Sequence, residues 1–240
     1  MMDINSDMGE GFGAWEMGND ALLLNYITST NIACGWHAGD PARMKKLVEM
    51  ATQKSVHIGA HPGFPDLEGF GRREMAISEQ DAYNYVLYQA GALKAFVKAA
   101  GTTLHHVKPH GALYNQAAKD MKLARGIARA VKDLGPEVIL YGLAGSCMID
   151  AAKELNVPVW QEVFADRKYT EEGFLVPRSQ AGAVIEDESE ALNQAIDMSR
   201  NGKVIAIDGS EIKIQADTLC IHGDNPHAVE FAKKIKDALL

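Results

Sequence analysis

The stretch Ile58-Gly59-Ala60-His61-Pro62-Gly63 decides the fold, because an apolar run that stops at a histidine beside proline and glycine is typical of a buried strand entering a loop. Three other stretches have the same form: Ala33-Cys34-Gly35-Trp36-His37-Ala38-Gly39, Val107-Lys108-Pro109-His110-Gly111 and Cys220-Ile221-His222-Gly223-Asp224. If the strands are parallel, the four histidines converge on one edge of the sheet. The loops at that edge of an α/β barrel build the active site, so the pattern predicts an enzyme.

Strand-like and helical patterns alternate along the chain. The strand-like runs are Asp3–Asp7, Asn31–Cys34, Val56–Ala60, Thr103–Lys108, Val138–Gly142, Pro158–Phe164 and Thr218–His222. Helical patterns lie between most of them, at Pro41–Lys54, Ser78–Ala100, Met121–Leu134, Ser146–Leu155, Glu186–Arg200 and, after the last strand, Pro226–Leu239. Such alternation indicates parallel strands with right-handed crossovers, in a closed barrel or an open doubly wound sheet. We favour a single α/β domain over residues 1–240, a seven-stranded parallel (β/α) barrel. Two apolar runs around Asp208-Gly209, within Val204–Ile214, add a β-hairpin with a type I′ turn.

Composition narrows the classes of partner. The 240 residues include 24 Lys+Arg against 32 Asp+Glu, a formal charge of −8 that argues against binding to nucleic acid or an anionic membrane. Cys34, Cys147 and Cys220 are widely spaced in apolar surroundings and are expected to be reduced core thiols. The sequence has neither a secretory signal pattern nor an apolar run of membrane-spanning length, so we expect a cytoplasmic protein with a small-molecule substrate.

Carboxylates follow the first and sixth strand-like runs. Asp7 and Glu10 flank a glycine-rich turn suited to a metal or a phosphate, although a tight turn capped by Asp7 explains the pattern equally well. At the end of the sixth run, strand alternation directs Glu162, Phe164 and Asp166 to one side. Carboxylates that face histidines form a general acid/base set or a metal site.

Basic residues mark two further positions. Strand alternation places Lys108 on one face with His106 and His110. A buried lysine must be paired, have a lowered pKa or bind an anion, and a purely structural pairing with Glu162 or Asp166 is the alternative to a functional role. Arg72-Arg73, in the long Pro62–Ile77 loop, would clamp a phosphate or a carboxylate, or would simply be solvated. That loop is a candidate lid.

The histidines divide into two groups by context. For His37, His61, His110 and His222 we favour a functional site over a core histidine that donates to a backbone carbonyl, whereas His57 and His227 lack the His-Gly or His-Pro-Gly context and fit the core role. The motifs of zincins, thiol redox enzymes and serine hydrolases are missing from the sequence. A Walker loop is also missing, which excludes nucleotide binding through that motif.

These residues resemble the LamB/YcsF family almost from end to end. The matching segments are Asn5–Gly13, Asn31–Pro41, Gly59–Asp66, Gly69–Arg73, Lys108–Asn115, Glu162–Arg167 and His222–Asp224. The resemblance implies a barrel of the glycoside hydrolase/deacetylase type. It also implies the role of the A subunit of an ATP-dependent 5-oxoprolinase, which opens 5-oxo-L-proline to L-glutamate with ATP and Mg²⁺ and works with two partner subunits, B and C.

That role allows a hypothesis for each candidate. Lys108 with Arg72, Arg73 or Arg167 would supply positive charge for a phosphoryl group. Asp7, His61 or Asp166 would act as the base. The expected catalytic residues are therefore Asp7, His61, Lys108 and Asp166, and the expected substrate- or phosphate-binding residues are Glu10, His37, Arg72, Arg73, His110, Glu162, Arg167 and His222.

Two other interpretations remain open from the sequence. In the first, Asp7, His37 and His61 hold a divalent metal that activates water against an N-acyl substrate. In the second, the chain is a non-catalytic subunit that binds the substrate. Whether a metal is bound, and which subunit binds ATP, does not follow from the residues.

Overall fold

Seven parallel strands close into a barrel in the computed structural model, which describes residues 2–221 and 228–239. The strands in chain order are β1 Asp3–Met8, β2 Ser29–Ala33, β3 His57–His61, β4 His106–Val107, β5 Ile139–Leu143, β6 Val159–Phe164, β7 Lys203–Ile205, β8 Glu211–Lys213 and β9 Thr218–Cys220. The barrel order is β1-β2-β3-β4-β5-β6-β9, and β7 and β8 form a separate antiparallel pair. The predicted seven-stranded parallel barrel with an inserted hairpin is therefore confirmed.

Helices surround the barrel. They are α1 Asp20–Leu23, α2 Pro41–Gln53, α3 Glu79–Ala99, α4 Gly111–Ala117, α5 Met121–Leu134, α6 Cys147–Glu154, α7 Glu188–Ile196, with a π-helical turn at Asp197–Asn201, and α8 Ala228–Leu239. Side chains cap two of these helices at their N-termini: the Asp40 side chain accepts from the backbone N–H groups of Ala42 and Arg43, and Ser78 and Asp81 form a capping box. The sequence pattern missed α1 and α4. In the described part of the chain, no helix has both the length and the apolar character to cross a membrane.

The inserted hairpin differs from its prediction at the turn. A type I′ turn needs positive φ at both central residues. Gly209 has a φ of 92°, but Asp208 does not lie in the positive-φ region. Instead the loop is longer, and the Asp208 carboxylate accepts hydrogen bonds from the backbone N–H and the hydroxyl of Ser210. The prediction of a type I′ turn is therefore wrong, because the Asp208 side chain stabilises a different loop.

The barrel interior is polar at its N-terminal end and centre. Asp3 accepts hydrogen bonds from the hydroxyls of Ser29, Tyr141 and Thr218, all of them buried. Barrel interiors of this type are usually filled by branched apolar side chains. Here the apolar core lies mainly between the outer face of the barrel and the helices, so the interior is free to carry the polar groups of a site.

Gly59 on β3 shows how tightly this interior is packed. A Cβ atom built at Gly59 would lie 2.0 Å from Nε2 of His106 on the neighbouring strand. The His106 ring in turn stacks on Tyr141, with ring centroids 3.9 Å apart. A glycine is therefore required at residue 59 so that the imidazole can cross the barrel.

Candidate active site

A cavity of about 650 Å³ opens at the C-terminal ends of the barrel strands. This is the end of an α/β barrel at which active sites are built. Asp7 lies near the end of β1, His61 ends β3, and Lys108 follows β4 directly. The predicted site residues that line the cavity are Asp7, Glu10, His61, Arg72, Lys108, His110 and Arg167.

Lys108 is the centre of the interior network. Its side chain is almost fully buried, and its ammonium group donates to Asp7 at 2.9 Å and to Glu162 at 2.8 Å. The Asn5 side-chain oxygen at 3.2 Å and the Cys220 sulfur at 3.1 Å complete its surroundings. Burial lowers the pKa of Lys108, but the charges of the Asp7 and Glu162 carboxylates outweigh it and place the pKa well above its ordinary value. Lys108 is thus a paired cation and not a base.

Two asparagines hold Asp7 in place. The Asn31 amide donates to Asp7 Oδ1 at 2.8 Å and to the Asn5 side-chain oxygen at 2.7 Å. His106 Nε2 donates to the Asn31 side-chain oxygen at 2.6 Å, which fixes the orientation of that amide. Burial holds the pKa of His106 well below its ordinary value, so its ring is neutral. The carboxylate of Asp7 is therefore oriented by a chain of buried hydrogen bonds.

Sequence reasoning missed Asn5 and Asn31, although a signal for them exists. Asp3, Asn5 and Asp7 occupy alternate positions of β1, and Ser29 and Asn31 occupy alternate positions of β2. Period-2 polarity inside an otherwise buried strand indicates a polar barrel interior.

Glu162 is fully buried on β6 and does not line the cavity. Its Oε1 accepts from Lys108 and, at 3.0 Å, from the Asn5 amide. Tyr114, on α4, lies beside this carboxylate, and burial together with the charge of Glu162 raises the pKa of its hydroxyl well above the ordinary value. Glu162 therefore stabilises the charge of Lys108 from below the cavity.

Three histidines and one glutamate gather beside Asp7. His37 and His110 stack, with ring centroids 3.7 Å apart and planes at 3°, and His61 meets both rings edge-on. Glu10 Oε1 lies 3.6 Å from His110 Nδ1 and 3.8 Å from His37 Nε2. Burial lowers the pKa values of His37 and His110 well below the ordinary value, which makes both rings neutral.

Glycines of the long loop let the backbone approach these rings. A Cβ atom at Gly63 would lie 2.6 Å from His37 Nδ1, and one at Gly71 would lie 2.9 Å from Cδ2 of His110. Gly71 also has a φ of 63°, which favours glycine. The loop therefore closes over the histidines only because these positions lack side chains.

The two loop arginines have different environments. Arg72 lines the cavity, with its guanidinium 4.9 Å from the centroid of the Phe70 ring. Arg73 is absent from the cavity wall and instead bonds to Asp66 and Glu68 of its own loop. The expectation of an arginine pair that clamps one anion is thus not met, because Arg73 holds the loop itself.

Arg167 and Asp166 also separate. Arg167 is buried at the cavity wall and donates to the backbone carbonyl of Val176 at 2.6 Å, and burial, reinforced by Arg178, lowers its pKa to about 10. Asp166 lies outside the cavity wall, and its carbonyl accepts from the backbone of Ile185. Strand β6 ends at Phe164, so Asp166 lies two residues beyond the strand, and the shared side expected for Glu162, Phe164 and Asp166 stays a prediction for Asp166.

The remaining histidines test the sequence-based division into site histidines and core histidines. His57 is exposed at the opposite end of the barrel, where its ring stacks on His105 with centroids 4.1 Å apart. The core role expected for His57 is therefore wrong, since its side chain lies at the N-terminal rim. His222 and His227 lie outside the described residues.

The metal set expected for a deacetylase-like enzyme also changes. Asp7, His37 and His61 were the expected ligands, but among the residues that the structure describes, the donor atoms that cluster are those of Glu10, His37, His61 and His110. Asp7 is instead held by Lys108 and Asn31, with its Oδ2 3.3 Å from His61 Nε2.

Comparison with known proteins places this chain in a family. The chain is 55% identical over 238 residues to a Brevibacillus brevis protein named as the A subunit of 5-oxoprolinase, covering 99% of this chain and 94% of that protein. A protein of the same name from Tolumonas auensis is 53% identical over 239 residues, covering 100% and 95%. A crystal structure of a lactam utilization protein from Thermus thermophilus superposes with a TM-score of 0.92 at 48% identity, covering 99% of this chain and 95% of that one. The sequence profile described as the LamB/YcsF family matches residues 2–240, and this chain therefore belongs to that family.

Proposed function

We propose that this chain is the A subunit of an ATP-dependent 5-oxoprolinase, which converts 5-oxo-L-proline, ATP and water to L-glutamate, ADP and phosphate. The observation that carries the proposal is the cavity at the barrel mouth, whose wall includes the carboxylate of Asp7 and the guanidinium groups of Arg72 and Arg167. The names of the relatives and of the Thermus protein support the same substrate class. A volume of about 650 Å³ exceeds the need of one five-membered lactam and leaves room for the phosphates of a nucleotide.

The chemistry explains why both reactants would occupy one cavity. Because a five-membered lactam resists direct attack by water, transfer of the γ-phosphoryl group to the amide oxygen would activate the ring carbon and release ADP. A first water then adds to that carbon and the C–N bond breaks, which leaves a free amine and an acyl phosphate. A second water releases phosphate and gives glutamate. Each step is accelerated by positive charge near the phosphoryl group and a base near the water.

Different residues of the cavity wall serve as the base and as the source of positive charge. Asp7 faces the cavity with its carboxylate fixed by Lys108 and Asn31, a geometry suited to orienting and deprotonating water. Arg72 and Arg167 supply charge for the phosphoryl group and the substrate carboxylate. The charge of Lys108 is balanced by Asp7 and Glu162, so Lys108 is a positioning residue and not the phosphoryl clamp first expected.

Partner subunits complete the proposal. The relatives are named as A subunits, which implies further subunits in their complexes. We assign two partners to this protein, the B and C subunits, with ATP and Mg²⁺ as the cosubstrate and its metal.

Glutamate release from 5-oxoproline by the three mixed subunits, with and without ATP and Mg²⁺, tests the proposal. We expect release only in the full mixture with ATP. Asp7→Asn should lower turnover by about 10²–10⁴-fold, the usual contribution of a positioned acid or base. Asp208→Asn is the matched control, because Asp208 lies on the exposed hairpin loop and asparagine can still accept from Ser210.

Two results would contradict the assignment. Failure of the wild-type mixture to release glutamate would contradict the proposed 5-oxoprolinase function. Near-normal turnover by Asp7→Asn, with 5-oxoproline still bound tightly, would reduce this protein to a substrate-binding role and place the chemistry elsewhere in the complex.

A further inference from the structure

Four donor side chains converge beside the cavity without a role in the reaction proposed above. One donor atom from each of Glu10, His37, His61 and His110 lies within 4.8 Å of the others. The three histidines are buried, and Glu10 is partly exposed. They come from the ends of neighbouring barrel strands, so the fold itself brings them together.

The two ring nitrogens of His61 and His110 that face each other require a positive charge between them. His61 Nδ1 lies 2.7 Å from the Lys108 carbonyl, and His110 Nε2 lies 2.8 Å from the Phe70 carbonyl, so each of these nitrogens must carry the proton. A neutral imidazole has only one N–H. In the neutral rings, the remaining nitrogens, His61 Nε2 and His110 Nδ1, therefore point two lone pairs at each other across 2.9 Å. A proton or a cation must lie at this position.

His37 provides a second and independent observation. Its side chain is fully buried, and among residues 2–221 and 228–239 neither of its ring nitrogens has a hydrogen-bond partner. Such an unpartnered buried polar group is rare and calls for a ligand. The backbone of Gly63 covers the Nδ1 side, since a Cβ there would lie 2.6 Å away. Nε2 is therefore the ring nitrogen that a metal ion can reach, and it lies 3.8 Å from Glu10 Oε1.

We propose that Glu10, His37 Nε2, His61 Nε2 and His110 Nδ1 bind one divalent transition-metal ion. The ligand atoms of a tetrahedral zinc ion at about 2.0–2.1 Å are separated by about 3.3–3.5 Å. The separations here of 2.9, 3.6 and 3.8 Å lie on both sides of that value, so small side-chain shifts complete the site. Imidazole donors suit Zn²⁺, Fe²⁺, Co²⁺ or Ni²⁺ far better than Mg²⁺ or Ca²⁺.

The groups behind the ligands fit the same ion. The carbonyls of Lys108 and Phe70 fix the tautomers of His61 and His110 so that both present a lone pair, which is the usual support for histidine ligands. Asp7 Oδ2, 3.3 Å from His61 Nε2, lies beside the ion and on the cavity wall. The metal site is independent of the proposed function, because it depends on these donors alone.

Calorimetric titration of the full chain, first freed of metal with a chelator, tests the site. We expect one equivalent of Zn²⁺ or Co²⁺ to bind with micromolar or tighter affinity, and Mg²⁺ not to bind. His37→Gln and His110→Gln should each weaken binding by more than about 100-fold, beyond the loss typical of residues behind the ligands. His57→Gln is the matched control, because His57 lies exposed at the opposite end of the barrel. Its affinity should equal that of the wild type.

X-ray absorption of the Co²⁺-loaded wild type keeps the test decisive if a variant fails to fold. We expect imidazole nitrogens and carboxylate oxygen at about 2.0–2.2 Å and no sulfur. Absence of stoichiometric binding, sulfur ligation, or wild-type affinity in folded His37→Gln and His110→Gln would each overturn the site. Since no measurement uses 5-oxoproline, normal metal binding without glutamate release would contradict only the proposed function.

Discussion

Replacement of Lys108 by methionine is predicted to destabilise the protein strongly. Lys108 is nearly fully buried, with carboxylate oxygens at 2.8 and 2.9 Å. Methionine fills a similar volume but leaves Glu162, fully buried on β6, without its cation. Removal of one partner from a buried ion pair costs about 3–5 kcal/mol. In a chain of this size each kcal/mol lowers the melting temperature by about 2–4 °C, so we expect a loss of about 6–20 °C.

Two further variants separate the uncompensated charge from lost packing. In the double variant Lys108→Met/Glu162→Gln the stranded charge is removed, and we expect at least half of the lost stability to return. Lys203→Met is the matched control, because Lys203 pairs with Glu211 at the same 2.8 Å but both side chains are exposed. Solvent already screens that pair, so its loss should change stability little.

Differential scanning calorimetry and urea unfolding followed by circular dichroism provide the measurements. Agreement of the two methods would confirm two-state unfolding, on which the comparison depends. A Lys108→Met protein that melts within about 2 °C of the wild type, a shift worth only about 1 kcal/mol, would refute the reasoning. A double variant less stable than the single variant would refute it equally.

Two other expected outcomes concern the loop and the N-terminal rim. Gly63→Ala should lower the free energy of unfolding by about 1–3 kcal/mol, because the new methyl group would lie 2.6 Å from His37. Gly91→Ala on α3 is the control, because its methyl group meets nothing within 4 Å and should be neutral or stabilising. Chemical denaturation of the two variants compares their free energies of unfolding. Burial and then the neighbouring His57 lower the pKa of His105 to about 4, below the unfolded value of about 6.5. The unfolded chain then binds more protons between these values, so stability falls as pH drops from about 6.5 to about 4, and His105→Gln should flatten that part of the profile of melting temperature against pH. An equally steep profile in the variant would contradict this assignment.

The fold was predictable because each barrel strand carries a local signal. The apolar runs before His37, His61 and His110 end where the described strands end or within a few residues of that point. By contrast, α4 begins at Gly111, two residues after Pro109, and these two residues predict a loop. Its helix depends on tertiary burial of residues such as Leu113 and Tyr114, which local propensity does not report.

The members of the candidate site were predictable in part, and its pairings were not. Strand ends identify Asp7, His61 and Lys108 as neighbours, because parallel strands bring them to one edge. The sequence does not show that Arg73 bonds to Asp66 within its own loop. An arginine that clamps an anion and an arginine that holds its own loop both need an exposed guanidinium group, so the sequence does not distinguish them. The position of Asp166 depends on where β6 ends, and strand boundaries are the least reliable part of a sequence-based prediction.

Barrel closure has a consequence for how the chain folds. Strand β1 pairs with β9, and the Ser6 hydroxyl donates to the Ile221 carbonyl 215 positions along the chain. Asp3 and Lys108 likewise obtain partners from Thr218 and Cys220. A chain emerging from the ribosome therefore holds six strands whose inner polar groups lack these partners until the last strand arrives. Such distant pairing is slow, so closure by β9 should be the late, rate-limiting event that converts an open sheet into the native protein.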